Sequence, residues 1–226
     1  EATINDSIDD VLEDIMAYDA DVIGFSCYLW NIEKVLYIAE NIKKIKPETI
    51  IVLGGPEVSY EVEGLLERNP SVDYVILNAG EERFSELLKA LDGQLSLESI
   101  DGLAYRTGDR ISVNPPEEYV NLNDVPFAYS GEELKDRLVY YETSRGCLFR
   151  CAFCLSSLEK GVRTAALEKV EKDLLRFTEM GIKVVKLVDR SFNCNLSRAT
   201  KLLDIIRRLP GDTVFHCEVN PELVND

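Results

Sequence analysis

Thr49-Ile50-Ile51-Val52-Leu53-Gly54-Gly55-Pro56 decides the fold. An unbroken apolar run stops abruptly at two glycines and a proline. A strand with one wet face alternates apolar and polar residues. A short run without alternation fits a strand buried on both faces, which means a parallel sheet covered by helices. The Gly-Gly-Pro break marks where the chain leaves that sheet.

The flanking sequence repeats the pattern. Upstream, Ile32, Val35, Leu36, Ile38, Ala39, Ile42 and Ile45 keep helical spacing up to Pro47. Before them, residues 21–26 read as a short buried strand. Ser7 (or Asp6) can cap a helix through Ile8, Val11, Leu12, Ile15 and Met16. Downstream, a helix over 61–68, a strand over 73–77 and a helix over 81–91 follow. The expectation is an α/β fold opening with a doubly wound, Rossmann-like parallel domain over 1–91 that lacks its first strand.

Residues 92–138 read as a linker containing a β-hairpin, with strands over 102–106 and 110–113 around Thr107-Gly108-Asp109. Pro115-Pro116 and Pro126 mark a loop after it. From 139 the alternation resumes: strand 139–143, helix 165–180, strand 183–188, helix 196–209, strand 213–219. Residues 139–226 therefore read as the start of a βα barrel.

The charge balance narrows the partners. With 41 acidic and 25 basic residues the net charge is -16. That repels nucleic acid and anionic membrane surfaces, and no basic stripe offsets it. No apolar segment approaches the ~20 residues of a membrane span, and nothing resembles a signal peptide. A cytoplasmic location follows as the expectation, where thiols stay reduced and clustered cysteines are metal ligands more often than disulfides. The chain opens on Glu1 and stops at Asp226 without a closing signal. It reads as a piece of a longer protein, truncated at both ends and inactive by itself.

Three of the six cysteines crowd into Arg145-Gly146-Cys147-Leu148-Phe149-Arg150-Cys151-Ala152-Phe153-Cys154. Structural zinc sites usually bring four ligands in two pairs. Here the remaining candidates, Cys194 and Cys217, are distant in sequence. A disulfide would leave one thiol over. An iron–sulfur cluster fits best, because thiolates are its usual ligands, and three of them leave one iron of a four-iron cluster open. The rivals are an iron–sulfur electron-transfer protein and a zinc-stabilised binding module.

The C-x3-C-x-aromatic-C pattern of Cys147, Cys151, Phe153 and Cys154, placed after a strand that opens a βα barrel, resembles the signature of radical S-adenosylmethionine (SAM) enzymes. The resemblance implies a [4Fe-4S] cluster on the three cysteines, with SAM on its open iron. The reduced cluster cleaves SAM, and the 5′-deoxyadenosyl radical abstracts hydrogen from a substrate. It also implies that Phe153 packs near the adenine and that an external reductant such as flavodoxin or ferredoxin feeds the cluster. Asp189 and Glu218, at the ends of the next two strands, are the candidates for SAM or substrate contacts. Val188-Asp189-Arg190 stands where many members carry a Gly-Gly-Glu-type segment. His216, the sole histidine, reads as a core or supporting residue.

A doubly wound domain in front of such a barrel looks like the cobalamin-binding domains of cobalamin-dependent radical SAM proteins. Open α/β sheets bind ligands at the carboxyl ends of their strands. Those ends carry Ser26 and Tyr28, then Gly54, Gly55 and Pro56, then Gly80 and Glu81. Glycines there let backbone approach a flat macrocycle. The Asp-x-His-x-x-Gly cobalt-ligand motif is absent, so any cobalamin binds without a protein imidazole. The resemblance as a whole implies an oxidoreductase or methyltransferase that functionalises C–H bonds, by methyl transfer or cyclisation, on a small-molecule or lipid-like substrate. No side chain is singled out as catalytic.

Overall fold

The computed structural model describes residues 5–108, 110–116, 120–131, 134–157 and 161–224. The chain forms two compact units that divide between Val120 and Asn121.

In the first unit, α1 (Ile8–Ala17), β1 (Val22–Ser26), α2 (Ile32–Ile45), β2 (Ile50–Gly54), α3 (Val62–Arg68), β3 (Tyr74–Ile76) and α4 (Glu81–Leu91) follow one another. A hairpin of β4 (Leu103–Thr107) and β5 (Arg110–Val113) completes the sheet. The strands lie in the order β1-β2-β3-β4-β5. The first three are parallel, and β4 and β5 run antiparallel.

The unbroken run in β2 has the cause its composition suggests. Ile51 and Leu53 face a core shared with α1, α2 and α3. Val52 faces the opposite side, against Leu87 of α4 and Leu103 of β4. Both faces are buried, so alternation in space leaves no alternation in polarity. Trimming Leu53, which is fully buried, to Ala costs about 2–5 kcal/mol by the usual cavity argument.

The hairpin differs from its expected place in a connector over 92–138. Its first strand pairs with β3, putting Tyr105 opposite Tyr74. Leu103, Ala104 and Tyr105 are buried in the sheet's two cores, which draws the hairpin into the first unit. Asp109 of the expected turn lies outside the described residues.

The second unit carries β6 (Leu138–Tyr141), β7 (Ser144–Cys147), β8 (Gly161–Thr164), α5 (Leu167–Glu179), β9 (Val184–Leu187), α6 (Leu196–Arg208) and β10 (Val214–His216). Strands β6, β9 and β10 form a parallel sheet in the order β10-β9-β6, as the opening of a βα barrel requires. Val170, Leu174 and Phe177 recur at helical spacing on α5, and Leu202 and Ile205 on α6. They pack on Val139, Tyr141, Val185 and Leu187. Asn195 caps α6 by accepting the amide of Arg198 at 3.0 Å. The antiparallel pair β7–β8 was not foreseen; the strand expected over 139–143 ends at Tyr141, and a short hairpin begins at Ser144. Among the described residues, no helix is long and apolar enough to cross a membrane.

Candidate functional site

The cysteine motif sits on the β7–β8 hairpin. Cys147 ends β7 opposite Gly161 and is half-buried, whereas Cys151 and Cys154 are exposed. The amide of Cys154 donates to the Cys151 carbonyl at 3.0 Å, closing a turn between them. The amide of Phe149 points at the Cys147 sulfur at 3.4 Å, the kind of contact that stabilises a thiolate ligand. Gly146 is obligatory. Its φ is +99°, and a Cβ there would lie 2.1 Å from the Gly161 carbonyl oxygen.

The hairpin is anchored by Asp189, one of the two carboxylates expected to contact SAM or substrate. Asp189, at the carboxyl end of β9, is buried. Its carboxylate accepts the Thr143 amide at 3.2 Å, the Thr143 hydroxyl at 2.7 Å, and the Ser144 hydroxyl. Arg198 donates to the Thr143 carbonyl at 3.2 Å from α6. Asp189 is thus engaged by the chain three and four residues before Cys147.

The other expected residues fall differently. Phe153 is 94% exposed, so it is no core aromatic in this chain. Glu218 is an exposed carboxylate 2.9 Å from Lys186 Nζ, and that hydrogen bond holds its carboxyl below the ordinary range. His216 is exposed on the edge strand β10, which rules out the core position among the two expected for it, core or supporting. An edge strand leaves one flank and one face uncovered, which local sequence does not reveal. Cys194 and Cys217 are half-buried, and burial raises both thiols. Among the described residues, no three His, Cys, Asp or Glu side chains gather closely enough to hold a metal. The three motif thiols share one loop, but their sulfurs are not brought together. As donors they suit an iron–sulfur cluster by kind and by spacing.

The first unit presents its own rim. The amide of Cys27 donates to the Gly54 carbonyl at 2.7 Å, and Glu57 returns a bond to the Cys27 carbonyl at 3.3 Å. The Ser59 hydroxyl donates to the Gly55 carbonyl at 2.9 Å and accepts the amide of Asn78 at 3.0 Å. The loops after β1, β2 and β3 are therefore tied together. Cys27 and Ser59, which make these ties, carry no sequence signal that would have singled them out.

Gly55 has φ +104°, and a Cβ would meet the Cys27 carbonyl oxygen at 2.6 Å and amide nitrogen at 2.9 Å. Its glycine is required by the loop itself, a cause other than the expected approach of a macrocycle. Gly54 and Pro56 are half-buried beside it. Gly80, the N-cap of α4, has only ordinary room around it, the nearest atom to a Cβ being a methyl of Ile76 at 3.8 Å. Glu81 opens α4, where a carboxylate complements the helix dipole.

Beyond Ser26, which is exposed, Tyr28 and Trp30 stack in parallel with ring centroids 4.8 Å apart. Asn31 holds this turn by accepting the Tyr28 amide at 2.7 Å and donating to the Ser26 carbonyl at 2.9 Å. Trp30 is 63% exposed and Leu29 79%, leaving apolar surface at a strand's carboxyl end. That surface suits a large flat ligand. The sole histidine of the chain lies in the other unit, so no imidazole of this unit can meet a cobalt.

Comparison with known proteins agrees with both halves. Residues 1–88 match the B12 binding domain family. The chain is 30% identical over 213 residues to an uncharacterised methyltransferase of Pyrococcus horikoshii, covering 88% of this chain and 45% of the relative. It is 28% identical over 189 residues to the cobalamin-dependent radical SAM methyltransferase TokK of Streptomyces tokunonensis, covering 77% of this chain and 28% of TokK. The same identity and coverage hold for 2-(S-pantetheinyl)-carbapenam-3-carboxylate methyltransferase of Streptantibioticus cattleyicolor. The chain spans less than half the length of each of these relatives. In fold it superposes on the cobalamin-dependent SAM radical enzyme OxsB with a TM-score of 0.77 at 24% identity, covering 94% of this chain and 32% of OxsB. Residues 1–88 are thus a B12-binding-type domain, the second unit opens as a βα barrel does, and the chain is similar in sequence to cobalamin-dependent radical SAM methyltransferases.

Proposed function

We propose that this chain carries the cobalamin-binding and cluster-binding parts of a radical SAM methyltransferase acting on a small carboxylate-bearing substrate. One observation carries the reading: three thiols share a glycine-dependent hairpin at the carboxyl end of a parallel sheet, in a chain whose first 88 residues match the B12 binding domain family.

Cys147, Cys151 and Cys154 would hold a [4Fe-4S] cluster, leaving one iron for SAM. When bound, the cluster supplies the electron for SAM cleavage and cobalamin supplies a methyl carrier. The chain's own residues bind and orient. Gly146 lets Cys147 sit at the end of β7, and Asp189 and Arg198 hold Thr143 behind it. Phe153, exposed between Cys151 and Cys154, is available to cover the adenine of SAM. Tyr28, Trp30 and the tied loops at Gly54 and Gly80 offer cobalamin an apolar platform without an imidazole. The carboxylate substrate class follows the relative named for a carbapenam carboxylate. A flavodoxin or ferredoxin is the proposed electron donor.

Anaerobic reconstitution tests the reading. About four irons per chain are expected, all lost in Cys151→Ala and kept in Cys194→Ala. Equal loss in both variants would sink the assigned ligand set.

A further inference from the structure

Among the described residues, α5 and α6 pack on one face of the β6–β9–β10 sheet, and side chains on the other face are exposed. Val139, Tyr141, Val185 and Leu187 point into the core under α5 and α6. Side chains alternate along a strand, so the residues between them occupy the opposite face. The parallel register arranges those residues in two rows. Leu138, Val184 and Val214 form the first, and Tyr140, Lys186 and His216 the second.

The rows differ in chemistry and in height. The first is wholly apolar, with Leu138 45% and Val214 59% exposed. The second is wholly polar at its tips and lies nearer the carboxyl ends of the strands, where a parallel barrel gathers its working loops. At a strand spacing of about 4.8 Å the second row spans about 10 Å from Tyr140 to His216. Tyr140 is 53% exposed and His216 is exposed. Glu218, two residues beyond His216, holds Lys186 Nζ at 2.9 Å. An ammonium has three N–H donors, and Glu218 takes one of them.

In a chain of net charge -16, a phenol, an ammonium and an imidazole aligned above an apolar floor are a specific arrangement. Small-molecule sites have this composition, mostly apolar with a few polar groups that fix orientation. We propose that the row Tyr140–Lys186–His216, with Lys186 oriented by Glu218, binds the carboxylate of an organic substrate whose apolar part lies on Leu138, Val184 and Val214. The word substrate rests on the radical SAM reading; binding to the row does not, and needs neither iron nor SAM.

His216 is the sole histidine, which makes it a single-site reporter. The intact chain, labelled in histidine, is titrated by NMR with hexanoate, acetate and the uncharged analogue hexanol. Hexanoate should shift the His216 ring signals saturably, and acetate and hexanol should each bind at least tenfold more weakly. Lys186→Met should weaken hexanoate at least tenfold, whereas Lys201→Met, on exposed α6 surface, should leave it unchanged. Tyr140→Phe, which deletes one exposed hydroxyl without altering the sheet, should weaken hexanoate severalfold. The proposal is overturned if hexanoate gives no saturable shift, if hexanol matches it, or if Lys186→Met binds it as well as wild type. Failure of the cluster reading would appear separately, in the iron count.

Discussion

The carboxylate of Asp189 accepts the hydroxyl hydrogen of Thr143 at 2.7 Å, joining positions 46 residues apart. It fastens the end of β9 to the start of the hairpin that carries Cys147. Asp189→Ala would leave the buried donors of Thr143 and Ser144 without their acceptor, at a cost of about 3 kcal/mol. Asp189→Asn retains an acceptor oxygen and should lose about half of that. Urea unfolding of the iron-free protein measures both, and iron retention should follow the same order. Unchanged stability and iron in Asp189→Ala would remove the anchor role.

Gly146→Ala should lose most iron loading although all three thiols remain. Its Cβ would meet the Gly161 carbonyl oxygen at 2.1 Å, so β7 and β8 must separate. Gly161→Ala is the control. Its φ is +76° but, among the described residues, nothing lies within 4 Å of a Cβ, so the left-handed strain of about 1–2 kcal/mol is the cost expected. Iron content after anaerobic reconstitution should separate the two variants severalfold.

In the first unit, Gly55→Ala should destabilise the protein before any corrinoid is added, because Cys27 backbone already occupies the space. Loss of cobalamin in that variant would report a broken loop. Gly80→Val is the cleaner probe, since the room around Gly80 is ordinary. The expected result is a near-unchanged urea midpoint for Gly80→Val with less corrinoid absorbance retained after gel filtration. Full retention would remove Gly80 from the site.

Alkali should weaken the same unit through Cys27. Burial pushes this thiol up from 9.0 to about 12. Between those values the unfolded chain releases a proton that the folded chain keeps, so the folded state binds more protons and stability falls as pH rises. The contribution is fully present below pH 9 and is lost by about pH 12, up to about 4 kcal/mol in all. The difference between wild type and Cys27→Ala in urea unfolding, followed upward from pH 8, isolates it. Native iodoacetamide labelling should reach Cys151 and Cys154 first and leave Cys27 unmodified, matching their exposure. Early labelling of Cys27 would contradict its burial.

What sequence alone determined about this protein is local and periodic. The apolar run of β2 announced a strand buried on both faces, and helical spacing placed α2, α5 and α6 within a few residues of their observed bounds. The cysteine spacing named the loop, because a ligand motif is written in consecutive residues. Tertiary structure decided the rest. The β7–β8 hairpin pairs residues separated by a loop, in segments too short to show a period. Whether Asp189 lay on the rim or under it depended on Thr143 and Ser144 far upstream. The need for glycine at Gly55 came from Cys27 in the loop after a neighbouring strand, and the row of Tyr140, Lys186 and His216 exists only through the register of three strands. Backbone propensity acts over a few residues and can be read along the chain, whereas burial, register and long-range hydrogen bonds are fixed when distant segments meet.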